Sequence, residues 1–397
     1  MLPSQSQLVL PLLQALKEEG GSARAGIVCD AVAAQLNLLD EEREACARTP
    51  GGKTYNILDR AVRWTNQIAK LRGLTESAEY GIWQLTGSAH DKLENARPGV
   101  VVLVFENDLG AVLWAESEAL ESTIDNASID LIVTSPPYNL LRSKSYEYRK
   151  SEEEHVRWLT ARAEAWKSLL SPTGSVMLNM ADVWVPGQPE MTLWQERVIL
   201  NMVDRLGYHL CEKLFWHSPS KMPSPAEWVT VRRVRVTPAV ESVWWLSKTA
   251  NPKANNRNVL TPYSDSMKRT LEKGTNAGVR PSGHVVKEGA FSTNNGGSIP
   301  HNLLVASHSA SNTPYLRRCR EAGIQPHPAR FPESLPKFAI ELTTDPGDTV
   351  MDPFGGSLTT AEVCNDLGRH FIVGERNREF IEGGLLRFAL PDRSQAA

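Results

Sequence analysis

Paired cysteines are missing from this sequence. Its five cysteines stand far apart, and none belongs to a C-x-x-C pair. Zinc sites are usually built from closely spaced cysteine and histidine ligands, and disulfide-framed domains are rich in cysteine. The pattern therefore predicts reduced thiols, a cytoplasmic protein and no bound metal ion.

Long apolar runs are also missing. No stretch stays apolar for the roughly 18 residues that a membrane-spanning helix needs, and no basic-then-apolar leader opens the sequence. We therefore expect no membrane partner. With 397 residues, of which 41% are hydrophobic and 22% charged, the chain is long enough for two or more globular units.

A strong positive charge is missing from the chain as a whole, whose formal net charge is -3. The charge is unevenly distributed, because residues 251–330 carry 11 Lys and Arg against 4 Asp and Glu. A basic stretch rich in Asn, Gly, Ser and Pro is typical of a phosphate-contacting surface, although a solvated set of loops is the alternative. We predict four parts, at 1–97, 98–250, 251–325 (the basic region) and 326–397.

Apolar residues recur at helical spacing through the first part of the chain. The pattern predicts helices around 8–16 and 27–36, a third helix opening at Thr54 and continuing through Leu71, and a strand pair around 79–85. Three helices followed by a hairpin is the order of a winged helix. The third helix favours DNA binding, although a packing or dimerisation module is the alternative. Its basic residues are Arg60, Arg63, Lys70 and Arg72.

Strand and helix patterns alternate through the second part. The apolar runs 130–133, 174–179 and 241–246 are bounded by turn residues, as buried strands are. Residues 152–170 read as a helix, and their acidic start suits the positive end of the helix dipole. This alternation predicts a layered α/β sheet.

A glycine turn follows the apolar run 349–352. The sequence "DPFGGS" (352–357) leads into a predicted helix, and such a turn lets the backbone approach a ligand closely. Glu375 ends the following strand, 23 residues after Asp352, where nucleotide folds place the acid that binds ribose. Because the glycines do not form G-x-G-x-x-G, an adenosyl ligand is favoured over a dinucleotide. A plain strand, turn and helix remains the alternative.

A second rigid turn, "TSPPYN" (134–139), follows the apolar run 130–133. Ligands bind at the carboxyl ends of parallel strands, which is where this turn is predicted to lie. Two prolines fix two backbone angles, so the Ser135 hydroxyl and the Pro136 carbonyl form two rigid acceptors that suit an amino group. Tyr138 can stack on a planar base. On its own, the motif fits an ordinary Pro-Pro turn better than a ligand site.

The order of these two motifs resembles the amino-group DNA methyltransferases of the β group. In that family a (D/N/S)-P-P-(Y/F) tetrapeptide is catalytic, and a D-P-F-x-G-[ST] turn binds S-adenosylmethionine. A target-recognition region lies between them. The segments "FWHSPSKMPSP" (215–225), "PAVESVWWLSK" (238–248) and "HPARFPESLP" (327–336) resemble further parts of the family.

The first part of the chain resembles the N-terminal domain of Mrr-type restriction proteins, through "LVLPLLQAL", "AVRWTNQIAKLRGL" and "YGIWQLTGSAHDKL". Together the two resemblances imply an α/β, Rossmann-like fold of the S-adenosylmethionine-dependent methyltransferases. Its sheet is expected to be mixed and mostly parallel, with helices on both faces. A winged-helix-like helical domain is expected to precede it.

The family resemblance also assigns roles to individual residues. The catalytic residues it implies are Ser135, Pro136, Pro137 and Tyr138. The cofactor residues it implies are Asp352, Pro353, Phe354, Gly355, Gly356, Ser357, Thr359, Glu375, His327, Ala329 and Glu116. The predicted DNA contacts are Lys221, Arg232, Arg233, Arg235, Lys253, Arg257, Lys268 and Arg269.

Two positions depart from the family pattern. Glu116 stands where relatives often have the aspartate of Gly-Asp-Ser, and it either replaces that aspartate or is a plain surface glutamate. Leu358 stands where many relatives have Asn or Gly, and we expect it to alter packing only.

The resemblance implies transfer of a methyl group from S-adenosylmethionine to N4 of a flipped-out cytosine in duplex DNA. Serine in the first catalytic position is commoner among N4-cytosine enzymes, but N6-adenine methylation stays open. A Pro-Cys dipeptide, which carbon-5 cytosine enzymes use, is absent. A DNA-binding regulator with an inert methylase domain is a further alternative. A homodimer and a cognate restriction endonuclease are the expected protein partners.

Overall fold

The structure is a computed structural model, and it describes residues 5–36, 38–48, 54–87, 95–138, 151–274, 277–307 and 314–388, together with Gly52 and Ala89. The chain forms two compact units, Met1–Arg97 and Pro98–Ala397. Residues 88 and 90–94, which precede the division predicted at 97, lie outside the described residues. The predicted division of the second unit at 250 and 325 stays a prediction.

The first unit packs helices against short antiparallel strands. Its helices are α1 (Gln5–Glu18), α2 (Ala25–Gln35), α3 (Asp40–Arg43) and α4 (Ile57–Leu71). Its strands are β1 (Ser22–Arg24), β2 (Cys46–Arg48), β3 (Thr54–Asn56), β4 (Thr75–Glu79) and β5 (Ile82–Leu85). β5 lies between β1 and β4, and β2 pairs with β3. Leu12, Val32 and Val62 are fully buried where α1, α2 and α4 meet.

The third predicted helix begins later than the sequence indicated. Thr54 to Asn56 pair with Cys46 to Arg48 as strands, so α4 starts only at Ile57. The Asn56 side chain caps the helix there, because it accepts a hydrogen bond from the Asp59 N–H at 2.9 Å. DNA binding by the exposed face of α4 stays a prediction.

The second unit is built on a mixed sheet of nine strands among the described residues. The strands are β6 (Val102–Asn107), β7 (Gly110–Trp114), β8 (Ile129–Thr134), β9 (Leu170–Met180), β10 (His209–His217), β11 (Val240–Ser247), β14 (Leu303–Val305), β15 (Thr349–Asp352) and β16 (His370–Glu375). Their order is β14-β10-β11-β9-β8-β15-β16-β7-β6, and the central run from β9 to β7 is parallel. A separate pair joins β12 (Gly278–Val279) to β13 (Val285–Val286).

Helices cover both faces of this sheet. They are α5 (Ser117–Glu121), α6 (Glu152–Leu169), α7 (Trp194–Leu200), α8 (Asp265–Lys273), α9 (Pro314–Glu321), α10 (Ser334–Thr343), α11 (Thr359–Leu367) and α12 (Arg378–Leu385). Ile132 of β8 packs in the cluster that contains α6, whereas Leu131 and Val133 pack with α10 and α11. Burial on both faces explains why β8 reads as a continuous apolar run.

The acidic start of α6 is a capping box, as its sequence favours. The Ser151 hydroxyl accepts from the Glu154 N–H at 3.2 Å, and the Glu154 carboxylate accepts from the Ser151 N–H at 2.8 Å. Within the described ranges, no helix has both the length and the apolar character needed to cross a membrane.

Because the central strands are parallel, their carboxyl ends share one edge of the sheet. β8 ends at Thr134, β15 at Asp352 and β16 at Glu375. β11 is antiparallel to its neighbours, so its first residues reach the same edge. This edge therefore gathers the Ser-Pro-Pro-Tyr turn, the glycine turn and the acid that follows it.

Candidate active site

The two predicted motifs meet at a buried hydrogen bond between neighbouring strands. Thr134 donates its hydroxyl proton to Asp352 Oδ1, with 2.6 Å between the oxygens. Asp352 also accepts from Thr360 Oγ1 at 2.6 Å and from the Phe354 N–H at 3.1 Å. Because Ser135 follows Thr134 directly, the carboxylate holds the serine turn beside the glycine turn.

Asp352 has a structural task in this arrangement. Burial raises the pKa of Asp352 to about 6, and the hydrogen bonds from Thr134 and Thr360 act against that rise. Three donors already occupy the carboxylate, so the side chain joins β8, β15 and α11. A contact between Asp352 and a cofactor stays a prediction.

The glycine turn after β15 lies directly on the neighbouring strand. A Cβ on Gly355 would stand 2.2 Å from Val373 Cγ1, and the Gly355 N–H donates to the Gly374 carbonyl at 2.8 Å. Gly356 has a φ of +50°, and a Cβ there would stand 3.4 Å from His327 Nε2. Gly355 is therefore needed for the close packing of the turn on β16, and Gly356 is favoured by its positive φ.

Glu375 closes the turn from β16. Its Oε2 accepts the Gly356 N–H at 2.8 Å, and its Oε1 accepts the Asn377 N–H at 2.7 Å. Burial raises the pKa of Glu375 to about 7, although these backbone donors lower it. Each carboxylate oxygen has more than one lone pair, so the group can also accept from the hydroxyls of a ribose.

The remaining cofactor residues of the turn are mostly buried. Pro353 is buried, and the Phe354 ring lies 5.5 Å from the Trp158 ring of α6, measured between centroids. The hydroxyls of Ser357 and Thr359 lie 3.1 Å apart. These side chains hold the glycine turn in place through packing and hydrogen bonds.

His327 and Ala329 are brought to the same turn, as their motif predicted. Ala329 donates its N–H to His327 Nδ1 at 3.2 Å, and the histidine ring packs edge-on against Phe380 with 4.2 Å between centroids. His327 is 9% exposed and lies next to Gly356. A packing role beside the cofactor, and not acid–base chemistry, fits this position.

Leu358, which the sequence predicted to alter packing only, also has an unusual backbone conformation. It begins α11 with φ +58° and ψ 28°, a left-handed conformation that Gly and Asn adopt more readily. The side chain is fully buried and fills the space above Gly384. Leu358 therefore changes more than packing, because it carries backbone strain of about 1–2 kcal/mol.

Arg387, near the end of the described residues, holds the glycine turn in place, and no sequence pattern singled it out. Its Nε donates to the Ser357 carbonyl at 2.6 Å, and its guanidinium pairs with Glu362. The guanidinium also lies over the Tyr315 ring, 4.2 Å from the centroid.

Glu116 follows β7 at the same edge of the sheet. The preceding Ala115 donates its N–H to the Glu375 carbonyl at 3.1 Å, which places the two acids on neighbouring strands. The Glu116 carboxylate lies 3.8 Å from Arg376 Nε. The structure thus brings Glu116 near the predicted cofactor residues, and a direct contact stays a prediction.

The serine turn is held by hydroxyl and amide groups. Ser135 Oγ and Tyr138 Oη lie 2.6 Å apart, and Asn179 Nδ2 donates to Tyr138 Oη at 3.1 Å. Pro136 is buried, which anchors the turn. The Tyr138 ring lies 6.1 Å from the Trp194 ring, so stacking of Tyr138 on a base stays a prediction.

Lys221, predicted as a DNA contact, points to a buried acid instead. Its Nζ lies 2.6 Å from Glu241 Oε1, and Asn179 Nδ2 donates to Glu241 Oε2 at 3.0 Å. Glu241 is 8% exposed. This lysine therefore belongs to the hydrogen-bonded surroundings of the serine turn.

The predicted DNA contacts after β10 lie on an exposed segment. Arg232 pairs with Glu227 at 2.9 Å and lies over the Trp228 ring. Arg235 lies over the Trp184 ring, 4.9 Å from its centroid, and Arg233 is exposed. Their alkyl chains and guanidinium groups are accessible to phosphates.

The predicted DNA contacts of the basic region lie in two different places. Lys253 is held by Asp345 and Asp348 at the amino end of β15, away from the edge that carries the motifs. Arg257 lies on a short 3-10 helix that bonds to the last turn of α10, near the same end. The structure does not bring these two to the serine turn. Lys268 and Arg269 are exposed on α8.

Comparison with known proteins places the second unit in a family. Residues 129–385 match the DNA methylase family, and residues 6–95 match the Mrr N-terminal domain. The chain belongs to the DNA methylase family. The Type II methyltransferase M.PvuII of Proteus hauseri is 42% identical to this methylase over 282 residues, which are 70% of this chain and 83% of that protein.

A second relative and a solved structure support the same assignment. The Type II methyltransferase M.BglII of Bacillus subtilis is 26% identical to this methylase over 259 residues, 65% of this chain and 63% of that protein. The solved PvuII DNA methyltransferase, described as cytosine-N4-specific, has a TM-score of 0.60 at 34% identity. The match covers 76% of this chain and 91% of that one.

These matches confirm the predicted α/β methyltransferase fold, the resemblance to amino-group DNA methyltransferases and the Mrr-type N-terminal domain. The residues of this methylase that the sequence analysis missed are Thr134, Asn179, Glu241 and Arg387. A signal existed for two of them, because Thr134 precedes the catalytic motif and Glu241 is an acid that opens an apolar strand.

Proposed function

We propose that this protein is a DNA methyltransferase that moves a methyl group from S-adenosylmethionine to the N4 amino group of cytosine. One observation carries the proposal. The hydrogen bond from Thr134 to Asp352 sets the serine turn beside the glycine turn at one edge of the sheet. The choice of base follows the similar methyltransferase whose description is cytosine-N4-specific.

The glycine turn and Glu375 fit the adenosyl cofactor. Gly355 and Gly356 let the turn lie close to β16 and His327, because a Cβ on either would meet Val373 or His327 at 3.4 Å or less. Glu375 offers a buried carboxylate to the ribose hydroxyls. When bound, S-adenosylmethionine supplies an electrophilic methyl group on a sulfonium sulfur.

The serine turn prepares the amino group for the transfer. The nitrogen is a poor nucleophile because its lone pair is delocalised into the base. Ser135 Oγ and the Pro136 carbonyl accept its two hydrogens, so the nitrogen pyramidalises and its lone pair is no longer delocalised into the base. The lone pair would then bond to the methyl carbon as the methyl–sulfur bond breaks, and the nitrogen would release one of its hydrogens as a proton to water. The rate then depends mainly on positioning and on dipoles arranged before the reaction.

The target cytosine leaves the duplex to reach this turn. The exposed arginines 232, 233 and 235, with Lys268 and Arg269 on α8, contact phosphates and base edges. The Mrr-type unit supplies a second DNA contact through α4. The enzyme acts as a homodimer in the cytoplasm, alongside a cognate restriction endonuclease that reads the same site.

The test is a methyl-transfer reaction on duplex DNA of mixed sequence, with labelled S-adenosylmethionine and analysis of the nucleosides by mass spectrometry. We expect N4-methylcytosine. Label in N6-methyladenine would overturn the choice of base, and label only in RNA or protein would overturn the substrate class. A regulator with an inert methylase domain predicts no label in any of them.

A further inference from the structure

Two buried side chains and one half-buried lysine beside the serine turn have no role in the mechanism above. Asn179 lies near the end of β9, Glu241 near the start of β11, and Lys221 in the turn that follows β10. Strand order brings them to one edge, because β11 pairs with both β9 and β10. We propose that Asn179, Glu241 and Lys221 are positioning residues that hold the Tyr138 hydroxyl on Ser135. The inference rests on the proposed function.

The contacts form a continuous series from an exposed turn to the catalytic motif. Lys221 Nζ lies 2.6 Å from Glu241 Oε1, and Glu241 Oε2 accepts from Asn179 Nδ2 at 3.0 Å. The same amide nitrogen donates to Tyr138 Oη at 3.1 Å, and Tyr138 Oη lies 2.6 Å from Ser135 Oγ. The Tyr138 hydroxyl also donates to the Asn179 backbone carbonyl at 3.3 Å.

Charge decides how the Asn179 amide is oriented. An ionised carboxylate only accepts hydrogen bonds, so Glu241 must face the NH₂ group of the amide and not its oxygen. The two amide hydrogens are then directed to Glu241 and Tyr138. The Lys221 ammonium lies 2.6 Å from Glu241, which is only 8% exposed, and this charge pair holds the carboxylate in place. The lysine thereby sets the direction of a hydrogen bond two side chains away.

The orientation leaves one atom without a partner. Asn179 is 2% exposed, and its Oδ1 is buried with no hydrogen-bond partner in the part of the chain that the structure describes. A buried amide oxygen without a donor costs about 1–3 kcal/mol. An arrangement kept at that cost is typical of a functional site and not of a core built for stability alone.

These contacts orient the Ser135 hydroxyl before the substrate binds. Tyr138 is held through its hydroxyl by both the side chain and the backbone of Asn179, and Ser135 Oγ is held in turn by Tyr138. Ser135 Oγ is therefore oriented before the base binds. This orientation should raise kcat and leave the affinity for substrate nearly unchanged. Lys221 lies in a turn whose Ser220 hydroxyl is hydrogen-bonded to Ser307 of the basic region. The series of contacts therefore links the basic region to the serine turn.

The experiment measures kcat and KM for the full-length enzyme with duplex DNA and S-adenosylmethionine. Glu241→Gln and Lys221→Met should each lower kcat by about 10- to 100-fold, with both KM values within about twofold of wild type. Lys221→Arg, which keeps the charge, should restore most of kcat. The double variant should lose no more than the worse single variant, since both act on one series of contacts.

Lys337→Met is the matched control, because Lys337 pairs with Glu341 one turn along α10 and has no predicted contact with DNA or cofactor. It should leave kcat unchanged. A higher KM for DNA and a weaker salt dependence in Lys221→Met, with kcat unchanged, would make Lys221 a phosphate contact and overturn the inference. So would a normal kcat in Glu241→Gln.

Thermal unfolding and cofactor binding of each variant show whether it is folded. A Glu241 or Lys221 variant that is folded and binds the cofactor, yet methylates DNA at the wild-type rate, contradicts the inference. An inactive wild-type enzyme contradicts the proposed function instead, so the two failures are distinguishable. Should Glu241→Gln not fold, Lys221→Met and Lys221→Arg carry the same comparison.

Discussion

Thr134 and Asp352, which are 218 residues apart in the chain, share a hydrogen bond of 2.6 Å in the core of the sheet. Thr134 ends β8, which leads to Ser135, and Asp352 ends β15, which leads to Gly355. The bond therefore sets the distance between the serine turn and the glycine turn.

Replacing Thr134 by valine should destabilise the fold and slow catalysis. Valine keeps the shape but removes the hydroxyl donor from a carboxylate that is 1% exposed. We expect the free energy of unfolding in urea to fall by about 1–3 kcal/mol and kcat to fall with it. Thr343→Val is the control, because its buried hydroxyl bonds only to the Ala339 carbonyl of its own helix. Equal effects of the two changes would contradict a special role for Thr134.

The affinity for S-adenosylmethionine should rise with pH through neutrality. Burial raises the pKa of Glu375 to about 7, so the folded apoenzyme carries a proton on it below that pH. Ribose hydroxyls donate more strongly to the ionised carboxylate, so binding displaces the proton. We expect Kd to fall by up to about 10-fold between about pH 6 and pH 8. Calorimetric titration measures it.

The control for this titration is Glu375→Gln, whose affinity should be lower at high pH and nearly independent of pH. The same raised pKa predicts that the free energy of unfolding of the apoenzyme falls as pH rises through about 7, since the folded state then binds more protons than the unfolded state. A wild-type Kd that does not change with pH would show that Glu375 does not bind the ribose in its ionised form.

Gly355→Ala should displace the glycine turn from β16. Its Cβ would lie 2.2 Å from Val373 Cγ1 and 3.2 Å from the Gly374 carbonyl oxygen, so the turn must move away from β16. We expect a loss of about 1–3 kcal/mol in stability and weaker cofactor binding. In Gly26→Ala the added Cβ meets nothing within 4 Å and φ is not positive, so that variant should bind normally. Normal cofactor affinity in Gly355→Ala would contradict the close packing.

Tyr138→Phe separates the ring of Tyr138 from its hydroxyl. The phenylalanine ring can still stack on a base, so KM for DNA should stay within about twofold. Loss of the bonds to Ser135 and Asn179 should lower kcat by about 10-fold or more. Steady-state kinetics on duplex DNA provide the readout. Unchanged kcat would mean that the hydroxyl does not position Ser135.

The sequence predicted those parts of the site that are local in the chain. The serine turn, the glycine turn and Glu375 each follow an apolar strand, and parallel strands end at a common edge, so their approach could be expected. The helix of 152–170 was also readable, because its cap and acidic start lie within four residues of each other.

Contacts between distant residues could not be predicted in this way. Asn179 lies 41 residues from Tyr138 and 62 from Glu241, and their contact depends on strand order and on one antiparallel strand. Lys221 and Lys253 read as phosphate contacts because they lie in or near a basic region, yet both face acids. Charge counts do not reveal which lysines already have partners.

The central claim is that Ser135 acts on the base amino group next to the bound methyl donor. Single-turnover methylation of duplex DNA by wild type and Ser135→Ala, after saturation with S-adenosylmethionine, tests it most directly. We predict that Ser135→Ala binds cofactor and DNA normally but forms N4-methylcytosine about 100-fold more slowly. A rate equal to that of wild type would contradict the account.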